Sequence, residues 1–187
     1  DLYFSRIDSK GSWTNPESID DTETVNTSAN EGQATLNDRF NSMYFTRCFQ
    51  SETKPSGCAI MEVSKSGRIW GEPKEVFLGG DSSSAIGHPT LSNDERTIIF
   101  SADFANGSGG QDLYIAHRKN KGEKFMRARN LGPIINTPGE ELFPFLRNDT
   151  LLYFASNGHI GMGGLDIYKV SLKGDTAASV VKNMGMP

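Results

Sequence analysis

The same short motifs return along this chain about every 55 residues, and this spacing limits the possible folds more than any other feature of the sequence. One anchor is a leucine at position 36, 91 or 146, and a short apolar run ending in phenylalanine follows each. A second anchor is Asp-Leu-Tyr or a variant of it. Its copies are Asp1–Tyr3, Ala59–Met61, Asp112–Tyr114 and Asp166–Tyr168. Two independent anchors with one period indicate a repeat architecture.

Within each repeat, the apolar residues form short runs of β type, separated by clusters of Gly, Asn, Asp and Pro. No segment has a sustained helical period. We count four strands per repeat: an inner strand through the leucine, a second strand that ends at the phenylalanine, a third through Asp-Leu-Tyr, and an outer strand. Four antiparallel strands in a repeat of this length are typical of a β-propeller blade. A β-sandwich or barrel also has short strands, but it does not need the same ordered anchors three times.

The register of the anchors divides the chain into about three and a half blades. We therefore predict an all-β fold in which residues 1–187 are part of a single β-propeller domain of four-stranded antiparallel blades. The half blade is 1–30, and the blades are approximately 31–80, 81–135 and 136–187. Three and a half blades do not close a ring, so we expect the chain to belong to a larger chain or to need a partner. The anchor side chains should pack between blades, namely Tyr3, Tyr114 and Tyr168 with Leu36, Leu91 and Leu146.

Charge and hydropathy exclude two classes of interaction. The net charge is −4, and Lys and Arg are scattered singly. The chain therefore has no basic stripe that would neutralise phosphates, and we expect no nucleic-acid partner. No apolar run approaches the ~20 residues that a membrane-spanning helix needs, so we predict no membrane-spanning segment.

Two glycine-rich loops, 107–111 and 161–165, each precede a third strand. Glycine clusters can bind phosphate when they open a helix, but these open a β-strand and carry no lysine. We interpret them as hairpin loops whose glycines take positive φ. The glycines concerned are Gly109, Gly110, Gly163 and Gly164. Asp103 and Asn157, directly after the second strands, are expected to hydrogen-bond to loop amides.

The two cysteines replace this pattern in the first full blade. Cys48 aligns with Asp103, and Cys58 aligns with Gln111. The two cysteines should therefore face each other across the mouth of one hairpin. We predict a Cys48–Cys58 disulfide and an oxidising compartment, with a pair of unconnected half-buried thiols as the alternative.

The sequence supports no catalytic or metal site. His88, His117 and His159 fall at three different levels of a blade, so they form no shared metal or base site. Glu31 and Glu141 recur near the start of inner strands, where they could face the central channel. Two carboxylates without a fixed separation are weak grounds for a glycosidase pair, and we interpret them as solvated or structurally hydrogen-bonded acids. We predict no catalytic residue, no metal and no cofactor.

The last two blades carry residues that resemble a known family. The stretch Ser156–Tyr168, with Ile135–Thr137 and Glu141 upstream, looks like the WD-like, TolB-like propeller repeat of OmpA-family proteins from Bacteroidota-type bacteria, among them PorE-type lipoproteins of the type IX secretion system. The resemblance is strong in the last two blades and loose in the first. It implies a periplasmic, outer-membrane-associated protein whose propeller is an interaction platform without catalytic residues. It also implies that peptidoglycan is bound only through a neighbouring domain outside this sequence.

Three functions are compatible with the sequence. The first is a non-enzymatic scaffold that presents loops and a channel to a protein or peptide partner in the cell envelope. The second is the propeller domain of a peptidase or glycosidase. The third is a binder of a glycan or small ligand, with Phe143 and Phe145 as stacking residues. We favour the scaffold. Its candidate contact positions are Asp103, Gly109, Gly110, Asn157, His159, Gly163 and Gly164 in the loops, and Glu31, His88 and Glu141 near the channel.

Overall fold

The computed structural model describes residues 1–49, 57–81 and 83–185, and the regular structure within these ranges is entirely β. The segments around Phe100 and Phe154 are strands, as predicted. A helix long and apolar enough to cross a membrane is absent from these ranges.

Three consecutive antiparallel sheets repeat the same strand order from inner to outer edge. We call them blades 1, 2 and 3. Blade 1 contains β3 (Asn30–Leu36), β4 (Ser42–Phe49), β5 (Gly57–Ser66), β6 (Ile69–Trp70) and β7 (Lys74–Glu75). Blade 2 contains β8 (Ile86–Leu91), β9 (Thr97–Ala102), β10 (Asp112–His117) and β11 (Arg129–Asn130). Blade 3 contains β12 (Glu141–Arg147), β13 (Leu151–Ser156), β14 (Asp166–Lys173), β15 (Thr176–Ala177) and β16 (Lys182–Asn183).

A two-stranded half sheet precedes blade 1. Its strands are β1 (Tyr3–Phe4) and β2 (Glu17–Ser18), which pair antiparallel. They correspond to the third and fourth strands of a blade. The strand β2 pairs with β1 as the outer strands β7, β11 and β16 pair with the third strands β5, β10 and β14. The arrangement of partial and complete propeller blades predicted from the repeats is therefore confirmed.

The core consists of apolar layers between successive blades rather than one central cluster. Side chains alternate along the middle strands, so neighbouring residues face opposite blades. In β9, Phe100 packs toward Tyr44 and Ile60 of blade 1, whereas Ile99 packs toward Leu152 and Phe154 of blade 3. Blade 2 thus buries one face against blade 1 and the other against blade 3.

Two of the six predicted inter-blade anchors are wrong. Leu91, Leu146, Tyr114 and Tyr168 are buried as expected, but Tyr3 is 59% exposed and Leu36 is 41% exposed. Leu91 is covered by Tyr44 of blade 1 and its neighbours. The described residues before Leu36 include only the third and fourth strands of a blade, so no equivalent of Tyr44 covers it. The anchors are equivalent in register but not in burial.

We expect Leu146→Ala to lower the free energy of unfolding by about 2–5 kcal/mol, because the leucine is 7% exposed and truncation leaves a cavity between blades 2 and 3. Urea unfolding measures this change. The matched control is Leu36→Ala at the equivalent register position, which should lose less than about 1 kcal/mol because the side chain already contacts solvent. Equal losses from the two variants would contradict the assignment of the layers.

Candidate functional site

Nearly all the predicted site residues lie at one end of the blades, which we call the loop end. Here the inner strands β3, β8 and β12 begin, and the second strands β4, β9 and β13 end. The loops 103–111 and 157–165 connect the second and third strands at this end. Segments distant in sequence therefore form one continuous surface.

Asp103 and Asn157 perform the same task in blades 2 and 3. Asp103 Oδ1 accepts a hydrogen bond of 2.7 Å from the backbone N–H of Ala85, and Asn157 Oδ1 accepts one of 2.8 Å from the N–H of Glu140. Ala85 and Glu140 each stand just before an inner strand. Each side chain thus fastens the start of an inner strand to the end of the second strand.

The predicted disulfide is confirmed in blade 1, where it joins the second strand to the third strand and not to the inner strand. Cys48 and Cys58 are directly opposite each other in the β4–β5 ladder, and their sulfurs are bonded. The N–H of Cys58 also donates to the carbonyl of Ser84 at 3.2 Å. The covalent link therefore holds the loop end of blade 1 and contacts the connection into blade 2. Residues 50–56 of this hairpin loop lie outside the described ranges.

The glycines of the two loops have different roles, which corrects the sequence interpretation. Gly163 and Gly164 have φ of 116° and 64°, as predicted for a hairpin loop. Gly109 and Gly110 do not have positive φ. A Cβ on Gly109 would collide with the backbone of Pro138, and one on Gly110 would press on Glu140. Close packing against the start of blade 3 explains this second pair.

Glu31 and Glu141 lie inside the protein rather than in the channel. Glu141 is fully buried and accepts hydrogen bonds from the hydroxyls of Thr137 and Ser156, each at 2.7 Å. Glu31 accepts from the hydroxyl of Thr27 at 2.6 Å and forms an ion pair of 2.9 Å with Arg47. Both carboxylates hold the turn before an inner strand, and neither presents a free oxygen pair to a substrate.

Each inner strand has a β-bulge near the loop end, and one residue at each bulge has a positive φ. These residues are Gln33 (38°), His88 (54°) and Phe143 (52°). Such a φ is uncommon for residues other than glycine, and bulges re-aim side chains. Sequence reasoning missed Gln33 as a member of this set. The spacing of 55 residues on either side of His88 would have identified the set.

The His88 ring stacks on Phe143 of the next blade, with ring centroids 4.1 Å apart. Ser101 Oγ lies 2.9 Å from His88 Nδ1 and donates its proton to Gln111 at 2.9 Å, so His88 donates from Nδ1. Burial lowers the pKa of His88 because this environment solvates an imidazolium poorly. The neutral ring joins blades 2 and 3.

His159 is not a free loop residue. Its Nε2 donates to the carbonyl of Ile135 at 2.8 Å, and its ring packs on Phe154 and Tyr168. The loop of blade 3 therefore folds inward at this residue. The exposed apolar side chains of that loop, Ile160, Met162 and Leu165, point away from the core.

A different polar chain lies at the opposite end of blades 2 and 3. Thr97 Oγ1 is 3.0 Å from Nδ1 of His117, and Nε2 of His117 is 2.7 Å from Asp175. Desolvation, followed by the charge of Arg129, lowers the pKa of His117. Arg129 also pairs with Asp175. Because Asp175 belongs to blade 3 and the other residues to blade 2, this chain links the two blades.

Within the described ranges, no group of three or more His, Cys, Asp or Glu side chains is arranged to hold a metal ion. The loop end therefore offers hydrogen-bonding loops, an aromatic stack and exposed apolar side chains. Its titratable groups are engaged in the fold, as Glu31 and Glu141 show.

No known protein family matches the chain, and a search of curated proteins finds no match. Among solved structures, TolB from Acinetobacter baumannii matches 98% of this chain with a TM-score of 0.53 and 11% identity. A puromycin-hydrolyzing peptidase from Mycobacterium tuberculosis matches 85% of the chain with a TM-score of 0.54 and 15% identity. The Hadza microbial sialidase Hz136 matches 88% with a TM-score of 0.48 and 15% identity.

The similarity to TolB shows a TolB-like β-propeller fold, and at this identity it shows the fold alone. The chain spans 37% of TolB and 24% of the peptidase.

We expect reduction of the disulfide to lower the free energy of unfolding by about 2–3 kcal/mol, because the cross-link restricts a loop in the unfolded chain. Urea unfolding with and without reductant measures this loss. A variant with both Cys48→Ser and Cys58→Ser is the control and should not respond to reductant. Alkylation of both cysteines in the unreduced, natively exported protein would contradict the bond.

The lowered pKa of His88 predicts that stability falls as the solution is acidified. The unfolded chain takes up a proton on this residue near its ordinary pKa of about 6.5, whereas the folded chain resists protonation to a lower pH. Unfolding free energy should therefore decrease from about pH 7.5 to about pH 5, and His88→Gln should reduce this decrease. An identical pH profile in His88→Gln would contradict the assignment.

Proposed function

We propose that this chain is a non-enzymatic interaction platform of the bacterial cell envelope, whose loop end binds a protein or peptide partner. In this proposal, residues 1–187 are part of a single propeller domain, with a half blade at 1–30 and blades at approximately 31–80, 81–135 and 136–187.

One observation carries the proposal. The loop of blade 3 between β13 and β14 exposes three apolar side chains close together in sequence, and Ile160 is 99% exposed. Met162 and Leu165 are the other two. Single exposed apolar residues are common, but three on one loop give a cluster of the kind that partners cover. The hydrogen bonds of Asn157 to Glu140 and of His159 to Ile135 hold the base of this loop, so the cluster is presented from a fixed position.

The polar groups at the loop end support binding rather than catalysis. The side chains of Glu141, Glu31 and His88 form hydrogen bonds within the fold. A general acid or base needs a free position within reach of a substrate. The groups that the loop of blade 3 exposes are mainly backbone groups and apolar side chains, which are suited to recognition and not to proton transfer.

The disulfide supports an oxidising compartment, in agreement with a periplasmic location. The likeness of repeat and fold to TolB-like propellers agrees with an outer-membrane-associated protein of the OmpA family, similar to PorE-type proteins. In this proposal, peptidoglycan is bound through a neighbouring domain and not by residues of this sequence.

The alternative is the propeller domain of a hydrolase, and one observation favours it. Thr97, His117 and Asp175 form a hydrogen-bonded hydroxyl–imidazole–carboxylate chain in the order used by nucleophilic enzymes. Against this role, Asp175 is also paired with Arg129, and the chain joins two blades. We interpret it as an inter-blade contact.

Crosslinking followed by pull-down of the full-length protein from envelope preparations tests the proposal. Parent protein should capture a partner, and Ile160→Asp combined with Met162→Asp should reduce capture on the order of tenfold, because a charge replaces apolar contact area. The matched control is Ile69→Asp, which changes a residue that is 70% exposed at the start of β6, at the opposite end of the blades.

Equal capture by the parent and the loop variant would contradict the loop-end surface. Hydrolysis of a peptide or glycoside by purified protein, with loss of activity in both Thr97→Ala and His117→Ala, would replace the platform with the hydrolase. Circular dichroism and thermal unfolding of each variant establish that the fold is retained.

A further inference from the structure

The sheet of blade 3 has two faces, and the residues that the structure describes cover only the face toward blade 2. The other side, which we call the open face, carries Phe145, Tyr153, Ile167, Lys169 and Met184. The side chains of Phe145, Ile167 and Met184 are exposed. The equivalents of Ile167 and Met184 in blade 2 form the same backbone hydrogen bond, and blade 3 buries both. They are Leu113 and Leu131. An apolar sheet face of this kind is normally covered by another layer.

A pair of directly opposite residues marks the centre of this face in every blade, one on the second strand and one on the third. Opposite residues of antiparallel strands lie side by side on the same face of a sheet. The three pairs are Tyr44 with Glu62 in blade 1, Ile99 with Ile115 in blade 2, and Tyr153 with Lys169 in blade 3. The pairs are equivalent in position but differ in chemistry.

One residue at the end of the third strand of the following blade packs on this pair, and we call its place the incoming position. The residues concerned are Arg118 in blade 2 and Leu172 in blade 3. Their backbones show that they are equivalent. The N–H of Arg118 donates to the carbonyl of Arg96 at 2.8 Å, and that of Leu172 donates to the carbonyl of Thr150 at 2.7 Å.

The incoming residue matches the pair that it covers. The guanidinium of Arg118 lies over the ring of Tyr44, and its Nη1 is 3.9 Å from Oε1 of Glu62. The apolar Leu172 packs in one layer with Ile99 and Ile115. A carboxylate in the pair is thus met by a cation, and an apolar pair is met by an apolar side chain.

The pair of blade 3 contains a cation instead of a carboxylate. Lys169 lies directly opposite Lys182 of the outer strand, and like charges in such positions repel each other. Neither lysine forms an ion pair with any residue that the structure describes. Arg129 of blade 2, the equivalent of Lys182, is paired with Asp175 from the following blade. The open face therefore lacks the negative charge that a following blade supplies to blade 2.

We propose that the open face of blade 3 docks a further blade of the same polypeptide that has Asp or Glu at the incoming position, and that Lys169 selects this blade. The carboxylate accepts hydrogen bonds from the ammonium groups of Lys169 and Lys182, and the docked sheet covers Phe145, Ile167 and Met184. The loop cluster at Ile160 is not part of this face, so the inference does not depend on a partner at the loop end.

The choice of the same polypeptide follows from the contacts already described. Both of the stacked faces joined by Arg118 and Leu172 are formed by successive repeats of one chain. A second copy of this chain fits the face less well. Its half sheet has Ile7 at the incoming position, because Tyr3 occupies the place of Tyr168 in the pairing with the outer strand. An isoleucine there would leave both lysines without a carboxylate.

Carbodiimide crosslinking of the full-length protein, followed by mass spectrometry of its peptides, tests the proposal because it joins a lysine amine directly to a carboxylate in contact with it. Lys169 or Lys182 should be joined to an Asp or Glu of a further repeat, at the position equivalent to Leu172. Acetylation gives a second measurement. Lys169 should lose most of its reactivity in the folded protein relative to the urea-unfolded protein, whereas Lys124, which is exposed, should react similarly in both.

Substitutions test the selection by charge. Lys169→Glu should lower the thermal midpoint of the full-length protein by about 2–4 °C, because two carboxylates then meet in a covered contact. Changing the crosslinked acid to Lys in the same molecule should restore most of the midpoint.

The matched control is Lys173→Glu, which introduces the same charge change further along β14. Lys173 is exposed, and its equivalent in blade 2, Lys119, stays exposed beside blade 3. This variant should shift the midpoint by no more than about 1 °C.

The proposal is overturned if neither lysine forms a crosslink and Lys169 is acetylated equally fast in the folded and unfolded protein. Crosslinks to a second copy, detected in a mixture of isotope-labelled and unlabelled protein, or to a different protein would also overturn it. The crosslinks are formed in the protein without substitutions, so a variant that fails to fold leaves this decision unaffected.

Discussion

The stacking of one blade on the next is the interaction on which the rest of this structure depends. A four-stranded sheet with apolar residues on both faces cannot bury either face by itself. Ile99 and Phe100, adjacent in one strand, are both fully buried only because blade 3 covers one and blade 1 covers the other. The exposure of Leu36 shows the same rule where the covering strand is not among the described residues. Burial here is a property of neighbouring repeats and not of a single repeat.

Stacking alone does not fix the inner strands, which enter each blade from a long connection. Their first amides are at the loop end, where an unpaired N–H would be destabilising. Asp103 and Asn157 satisfy these groups with a side-chain oxygen. In blade 1 the same register position is Cys48, whose disulfide joins the second strand to the third strand. Hydrogen bonds therefore hold the inner strands of blades 2 and 3, and a covalent bond holds the third strand of blade 1. The rigid loop end is a consequence of these bonds, and it supports the exposed loop at Ile160.

Much of the fold could be predicted from the sequence, because strand period and turn residues are local and the anchors repeat in order. The disulfide could be predicted because the alignment of Cys48 with Asp103 and of Cys58 with Gln111 places the two cysteines opposite each other. The burial of Glu31 was beyond such reasoning, since only the folded turn brings Thr27 and Arg47 to the carboxylate. The role of Gly109 was missed for a related reason. Its need for glycine comes from Pro138 of the next blade, and no local turn rule contains that contact.

Departures from the repeat show how different residues provide the same packing. Residues that recur, such as Phe100 and Phe154, are explained by stacking, and a change there would affect the whole fold. The exchange of His159 for Ala105 keeps this packing, because the Phe104 ring lies on Phe100 and Tyr114 as the His159 ring lies on Phe154 and Tyr168. The exchange of Ile135 for Gly80 follows from it, since a Cβ on Gly80 would collide with the Phe104 ring. A ring from a neighbouring position in the loop thus serves the same contact, so the repeat preserves the packing of the layer and not the identity of the residue that provides it.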